Sequence, residues 1–121
     1  MKKILVIDDE EILTRSLALL LEKCGYHVLT AKNGDDAKAM VDVEPFDLMI
    51  CDIRMPGLNG IETVKAIWKK QEKEKTPVIF VSGYADECLE EEARRLKPLA
   101  YFTKPFEIAK VLESVQCGLA S

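Results

Sequence analysis

A small set of side chains in this sequence could do chemistry together: the adjacent carboxylates Asp8 and Asp9, the carboxylate Asp52, the hydroxyl of Ser82 and the ammonium of Lys104. Each follows or closes a short apolar run, respectively Ile4-Leu5-Val6-Ile7, Leu48-Met49-Ile50-Cys51, Val78-Ile79-Phe80-Val81 and Ala100-Tyr101-Phe102-Thr103. Two carboxylates about 4 Å apart repel by roughly 4 kcal/mol at an effective dielectric of about 20. Three of them at one place need a cation, or one must hold a proton at neutral pH. Lys104 supplies one positive charge. A hard divalent ion would supply the rest, and an all-oxygen ligand set suits Mg2+. That ion typically uses one or two protein carboxylates and takes phosphate oxygens as further ligands. A carboxylate in such a site can attack phosphorus and become an aspartyl phosphate. Asp52 is the choice of nucleophile, because it stands alone while Asp8 and Asp9 form a pair suited to metal. Taken singly, each residue has a plainer reading: a helix cap for an Asp at a strand end, a turn for Ser82-Gly83, a solvated lysine for Lys104. The chemistry therefore depends on elements that bring all of them to one edge.

The apolar runs read as strands. Runs of four to eight apolar residues ended by turn signals fit strands buried on both faces, as in a parallel sheet. Between them lie segments with helical spacing. From Glu11 a helix carries Leu13, Leu17, Leu20, Leu21 and Cys24 on one face and stops at Gly25. His27–Ala31 is a second strand, Asn33-Gly34 a turn, and Asp35 or Asp36 opens a short helix through Met40 and Val41. Beyond Arg54-Met55-Pro56-Gly57-Leu58-Asn59-Gly60, a loop rich in turn residues, Ile61, Val64, Ile67 and Trp68 mark a third helix. Ala85–Leu96 is a strongly charged fourth helix with a thin apolar side of Leu89, Ala93 and Leu96, closed by Pro98. The last helix starts near Glu107, with Ile108, Val111, Leu112, Val115 and Leu119 inward. Strands and helices alternate five times without internal repeats, which calls for a parallel sheet covered by helices on both faces. In open sheets of this kind, ligands bind beyond the carboxyl ends of the strands. Those ends are where Asp8, Asp9, Asp52, Ser82 and Lys104 fall.

The chain has 121 residues, 48% hydrophobic and 31% charged, with a formal net charge of -4. This suits one domain over residues 1–121 with a proper core. No long basic run occurs, which argues against nucleic-acid binding by this segment. No apolar stretch reaches the roughly 20 residues needed to span a bilayer, and the apolar run after Lys2-Lys3 meets Asp8-Asp9-Glu10-Glu11 too soon for a signal peptide. Cys24, Cys51, Cys88 and Cys117 lie far apart with no Cys-x-x-Cys pair. They read as buried or half-buried thiols in a reducing compartment, so the cytoplasm is the expected location.

Asp8-Asp9-Glu10, then Asp52-Ile53-Arg54-Met55-Pro56-Gly57-Leu58-Asn59-Gly60, then Ser82-Gly83, then Tyr101-Phe102-Thr103-Lys104-Pro105-Phe106 resemble the signature set of the response-regulator receiver domain of two-component signal transduction. The resemblance covers nearly the whole chain in the family's order and spacing. It implies a flavodoxin-like (CheY-like) doubly wound α/β fold, a five-stranded parallel sheet in the order 2-1-3-4-5 with five helices. It implies that Asp52 accepts a phosphoryl group from a phosphohistidine on a sensor histidine kinase or histidine phosphotransfer protein. Asp9, Asp52 and the backbone carbonyl of Arg54 would ligate Mg2+ directly, and Asp8 through water. Lys104 would pair with the phosphoryl oxygens, with a cis bond to Pro105. Ser82 would hydrogen-bond the phosphoryl group, and Tyr101 would turn toward the space vacated. Phosphorylation would thereby be coupled to the surface of the fourth helix, fifth strand and fifth helix. That surface would control a C-terminal output domain or a partner, or form a homodimer. On this reading the chain is a signalling domain rather than an enzyme.

Some positions depart from the family pattern. Ser82 stands where threonine is frequent and keeps the hydroxyl. Lys97-Pro98 stands where Gly-Ala is common, which bears on the shape of the loop before the fifth strand. Arg54 and Tyr84 occupy positions that tune the lifetime of the phosphorylated state. A phosphohydrolase of the haloacid-dehalogenase type would need Asp-x-Asp after its first strand, whereas Asp52-Ile53-Arg54 has arginine in the second place and Asp8-Asp9-Glu10 has the wrong spacing. An unphosphorylated docking module is argued against by the complete set of Asp8, Asp9, Asp52, Ser82 and Lys104. Neither a Walker-type loop nor Gly-x-Gly-x-x-Gly is present to bind a nucleotide.

Overall fold

Short aliphatic runs bounded by turn residues are too brief for stable helices and instead pair side by side. The computed structural model describes residues 1–83 and 87–120. Its elements are β1 (Lys3–Ile7), α1 (Glu11–Lys23), β2 (His27–Ala31), α2 (Gly34–Val43), β3 (Leu48–Asp52), α3 (Gly60–Lys70), β4 (Val78–Ser82), α4 (Glu87–Arg95), β5 (Ala100–Thr103) and α5 (Ile108–Leu119). The strands form one parallel sheet in the order β2-β1-β3-β4-β5, as the flavodoxin-like reading expects. Among the described residues, no helix is long and apolar enough to cross a membrane. The expected start of the fourth helix at Ala85, and Tyr84, lie outside the described residues.

The period-2 alternation of the strands divides the core into two layers. Leu5, Ile7, Met49, Cys51 and Phe80 face one side, where Ala37 of α2, Ile61, Val64 and Ile67 of α3, and Ala93 of α4 cover them. Ile4, Val6, Leu48, Ile50, Ile79 and Val81 face the other, covered by Leu17 and Leu21 of α1 and Val111 and Val115 of α5. β3 and β4 are buried throughout, as strands must be when helices cover both faces. α4 holds on with one fully buried residue, Ala93, flanked by the partly buried Leu89 and Leu96.

Helix starts are set by side-chain caps. Asn33, read from sequence as part of a turn, accepts from the Asp36 backbone N–H at 2.8 Å and opens α2. Asn59 and Glu62 form a reciprocal capping box at the start of α3, each accepting from the other's backbone N–H, at 2.8 and 3.0 Å. This box fixes where the loop after Asp52 ends. Gly60 follows it so closely packed that a Cβ there would overlap the Asp52 carbonyl, and its N–H donates to the Ile53 carbonyl at 2.8 Å. Only glycine lets the loop fold back onto the strand end.

The cysteines correct one expectation. Cys51 is buried, but Cys24, Cys88 and Cys117 are exposed. Cys24 is the residue after the last turn of α1 and has left the helix's inward face.

The loop before β5 keeps a glycine-like shape without a glycine. Lys97 lies at φ 55, and its N–H closes the end of α4 on the Arg94 carbonyl at 3.0 Å. A left-handed conformation costs a non-glycine residue roughly 1–2 kcal/mol. Lys97→Gly is therefore expected to raise the free energy of unfolding by about 1 kcal/mol after the entropy cost of glycine is subtracted. Urea denaturation of the two chains measures this, and a lower midpoint for the variant would contradict it.

Candidate functional site

Parallel register carries four segments to one edge. Ile7 pairs with Ala31 and Cys51, so Asp8 leaves the sheet beside Asp52. Asp52 pairs with Val81, and Ser82 with Thr103, so Ser82 and Lys104 emerge on the same side. The Lys104 N–H donates to the Ser82 carbonyl at 2.6 Å, extending the β4–β5 ladder into the site. Asp8, Asp52 and Ser82 are all buried.

Lys104 lies at the centre. Its ammonium reaches Glu10 Oε1 at 2.9 Å, Asp8 Oδ2 at 3.3 Å and Asp52 Oδ2 at 3.4 Å. An oxygen from each of Asp8, Glu10 and Asp52 lies within 4.8 Å of the others. The second oxygen of Asp52, Oδ1, is buried and has no hydrogen-bond partner among the described residues. A buried carboxylate oxygen without a donor is costly. Together with an all-oxygen donor set, it fits a hard divalent cation.

Asp9, Glu10, Asp52, Arg54, Gly83 and Lys104 line a recess of about 190 Å³ at this edge. Asp9 is exposed and contributes to the rim, while Asp8 is the buried member of the adjacent pair. Asp8 Oδ1 accepts from the Glu10 N–H at 2.9 Å, which ties the first loop to the site. The Lys104-Pro105 bond is cis. Tyr101, half-buried on β5, packs against the α2/α3/α4 side of the core. The Arg94 guanidinium of α4 lies over its ring, 5.1 Å from the centroid.

Glu10 is the member that sequence reasoning left without a role. Its only signal was its place in a run of acids at the end of the first strand, and that run does not say which acid turns inward.

The electrostatics follow from burial beside like charge. Burial first, and then the Asp8 charge, push the Asp52 carboxyl up to about 7, with Lys104 acting against both. Burial works against the Lys104 charge, but Glu10, Asp52 and Asp8 outweigh it and hold its ammonium above the ordinary lysine value. Behind Asp52, burial and the charges of Asp52 and Asp8 push the Cys51 thiol far up. It is a packed, inert group rather than a nucleophile.

The fold recurs among known proteins. The model of the family described as "Response regulator receiver domain" matches residues 4–116. The chain is 35% identical over 120 residues to protein PilH of Pseudomonas aeruginosa, covering 99% of each chain. It is 36% identical to the alkaline phosphatase synthesis transcriptional regulatory protein PhoP of Bacillus subtilis, where 98% of this chain spans 48% of that one. Among solved structures, chemotaxis protein CheY4 of Vibrio cholerae superposes with a TM-score of 0.88 at 28% identity, covering 98% of this chain and 99% of that one. Response regulator protein TrrA of Thermotoga maritima, solved in complex with Mg(2+)-BeF, superposes at 0.85 with 33% identity, over 98% and 100% of the two chains.

A carboxyl whose folded value lies above its unfolded one holds its proton more tightly in the folded chain. The stability this gives is full below about pH 4 and is lost as pH rises through about 7. With divalent cations chelated, the unfolding free energy of the wild type should fall relative to that of Asp52→Asn by about 2–3 kcal/mol between pH 5 and 8. Parallel pH profiles of the two chains would contradict the strain on Asp52.

Proposed function

The chain belongs to the response regulator receiver domain family, and from that footing we propose that Asp52 is its phosphoacceptor, taking a phosphoryl group from a phosphohistidine of a sensor histidine kinase or histidine phosphotransfer protein. The observation that carries this reading is the buried Asp52 carboxylate at the mouth of the sheet, with Oδ2 on Lys104 and Oδ1 without a partner among the described residues. In the transfer, an Asp52 oxygen forms the new P–O bond, the P–N bond to imidazole breaks, and the leaving nitrogen takes up a proton. The Asp52 pKa near 7 leaves a substantial share of the carboxylate ionised at neutral pH even without metal.

Asp8, Asp9 and Asp52, with the Arg54 backbone carbonyl, would hold Mg2+, the Asp8 and Asp52 oxygens lying within 4.8 Å of one another. When bound, the ion lowers the Asp52 value and neutralises charge on the incoming phosphoryl oxygens. Lys104 supplies the fixed positive charge on the other side and pairs with those oxygens as they arrive. Ser82 supplies a hydroxyl from the end of β4. Its movement toward the phosphoryl group opens space for Tyr101, and the shift reaches the α4-β5-α5 face as a change between two states. The slender apolar attachment of α4 by Ala93, Leu89 and Leu96 suits an element that moves at low cost.

On this reading, residues 1–121 act as one cytoplasmic signalling unit. Its own chemistry is limited to taking up and slowly losing the phosphoryl group. The α4-β5-α5 face addresses an output domain, a partner or a second copy. Relatives such as PhoP, slightly more than twice as long as the matched segment, accord with an output domain in some family members.

Incubation with phosphoramidate and Mg2+ is expected to add a single phosphoryl group by intact mass, acid-stable and base-labile, and none to Asp52→Ala. Rapid turnover of many small phosphomonoesters would instead mark a phosphohydrolase. Lys104→Ala is expected to keep the fold and still take up the group, but to lose the phosphorylation-induced shift in the NMR signals of α4 and β5. An undiminished shift would contradict the role given to Lys104.

A further inference from the structure

We infer that Glu10 is a positioning residue that acts through Lys104: in the resting chain its carboxylate engages the lysine and opposes phosphoryl uptake at Asp52. The inference rests on Asp52 being the phosphoacceptor. Glu10 occupies the N-cap position of α1, yet its side chain makes no capping hydrogen bond. Its backbone is nonetheless pinned. The N–H donates to Asp8 Oδ1 at 2.9 Å, and the carbonyl accepts from the Thr14 hydroxyl at 2.7 Å and the Thr14 N–H at 3.0 Å. From this fixed base the side chain turns away from the helix and reaches across to Lys104. At 2.9 Å it is the shortest of the ammonium's three ion pairs among the described residues, against 3.3 Å to Asp8 and 3.4 Å to Asp52.

An ammonium has three N–H donors, and here three carboxylates face it. A phosphoryl group on Asp52 takes over the contact that Asp52 now makes and brings further oxygens to the mouth of the recess, and Lys104 can serve more than one of them only by releasing a second partner, Asp8 or Glu10. Asp8 is buried, with 2% of its side chain exposed, and would lose its ammonium where water cannot replace it. The Glu10 side chain is 61% exposed, and water replaces its lysine. Glu10 is thus the partner that yields, and its hold on Lys104 is a barrier that each phosphorylation must overcome. The same surface position lets Glu10 change without disturbing the core.

The test measures phosphoryl uptake from phosphoramidate with Mg2+ by intact mass in wild type, Glu10→Gln, Lys104→Ala and the double variant, together with the NMR signals of the Lys104 side chain. Glu10→Gln is expected to move the Lys104 signals and to speed uptake roughly two- to fivefold, the range for loss of a partly exposed ion pair. The gain should vanish when Lys104 is already alanine. Equal gains with and without Lys104 would show a bulk charge effect and overturn the inference. Slower or unchanged uptake in Glu10→Gln, or unmoved Lys104 signals, would overturn it as well. A wild-type chain that takes up nothing removes the phosphoacceptor reading and this inference together, whereas normal wild-type uptake with no effect of Glu10→Gln removes only the inference.

Discussion

One ammonium facing three carboxylates governs this molecule. Lys104 is the shared partner of Asp8, Glu10 and Asp52, and two of those three acids are buried. Taking a charge out of water costs several kcal/mol even after relaxation, and a pair recovers this only with good geometry and further hydrogen bonds. Here the recovery is incomplete. Asp52 keeps an oxygen without a donor among the described residues, and its proton is held up to about 7. Among the described ion pairs of these acids positive charge is short, with one ammonium serving three carboxylates. That shortage makes a divalent cation fit, and it goes with a carboxyl that burial and the Asp8 charge hold well above the usual carboxylate range.

The rest of the fold keeps those groups together against their repulsion. β1, β3, β4 and β5 lie side by side in parallel register, so their ends fall on one edge. Two apolar layers anchor the strands from both faces. Close backbone packing finishes the job: Gly60 against the Asp52 carbonyl and the capping box of Asn59 and Glu62 fix the loop beyond β3. The rigid side of the site is therefore the sheet. The exposed side is the rim, where the Glu10 side chain from the first loop meets water.

Much of this was legible in the sequence because its signals are local and repeated. Apolar runs of fixed length, each followed by a polar residue of the right type, gave the strands, their parallel arrangement and the edge at which Asp8, Asp52, Ser82 and Lys104 meet. Side-chain direction was less legible. Asp8, Asp9 and Glu10 are consecutive acids, and only the turn from β1 into α1 decides that Asp8 is buried, Asp9 lines the rim and Glu10 crosses to Lys104. The thiols misled for a related reason: cysteine is often buried, but Cys24, Cys88 and Cys117 lie on helix surfaces or ends, where position outweighs residue type. Lys97 shows the same limit in the backbone. The absence of glycine there left the shape of the loop open, and the chain takes a left-handed conformation at Lys97, φ 55, without one.

The shortage of positive charge around Asp52 is tested most directly by calorimetric titration with Mg2+ of the wild type and Asp52→Asn. If the cation is drawn by the converging carboxylates, the wild type binds one ion, and loss of the Asp52 charge weakens binding by about tenfold or more. Equal affinities in the two chains would contradict the idea that Asp52 and its neighbours form a single cation-hungry site.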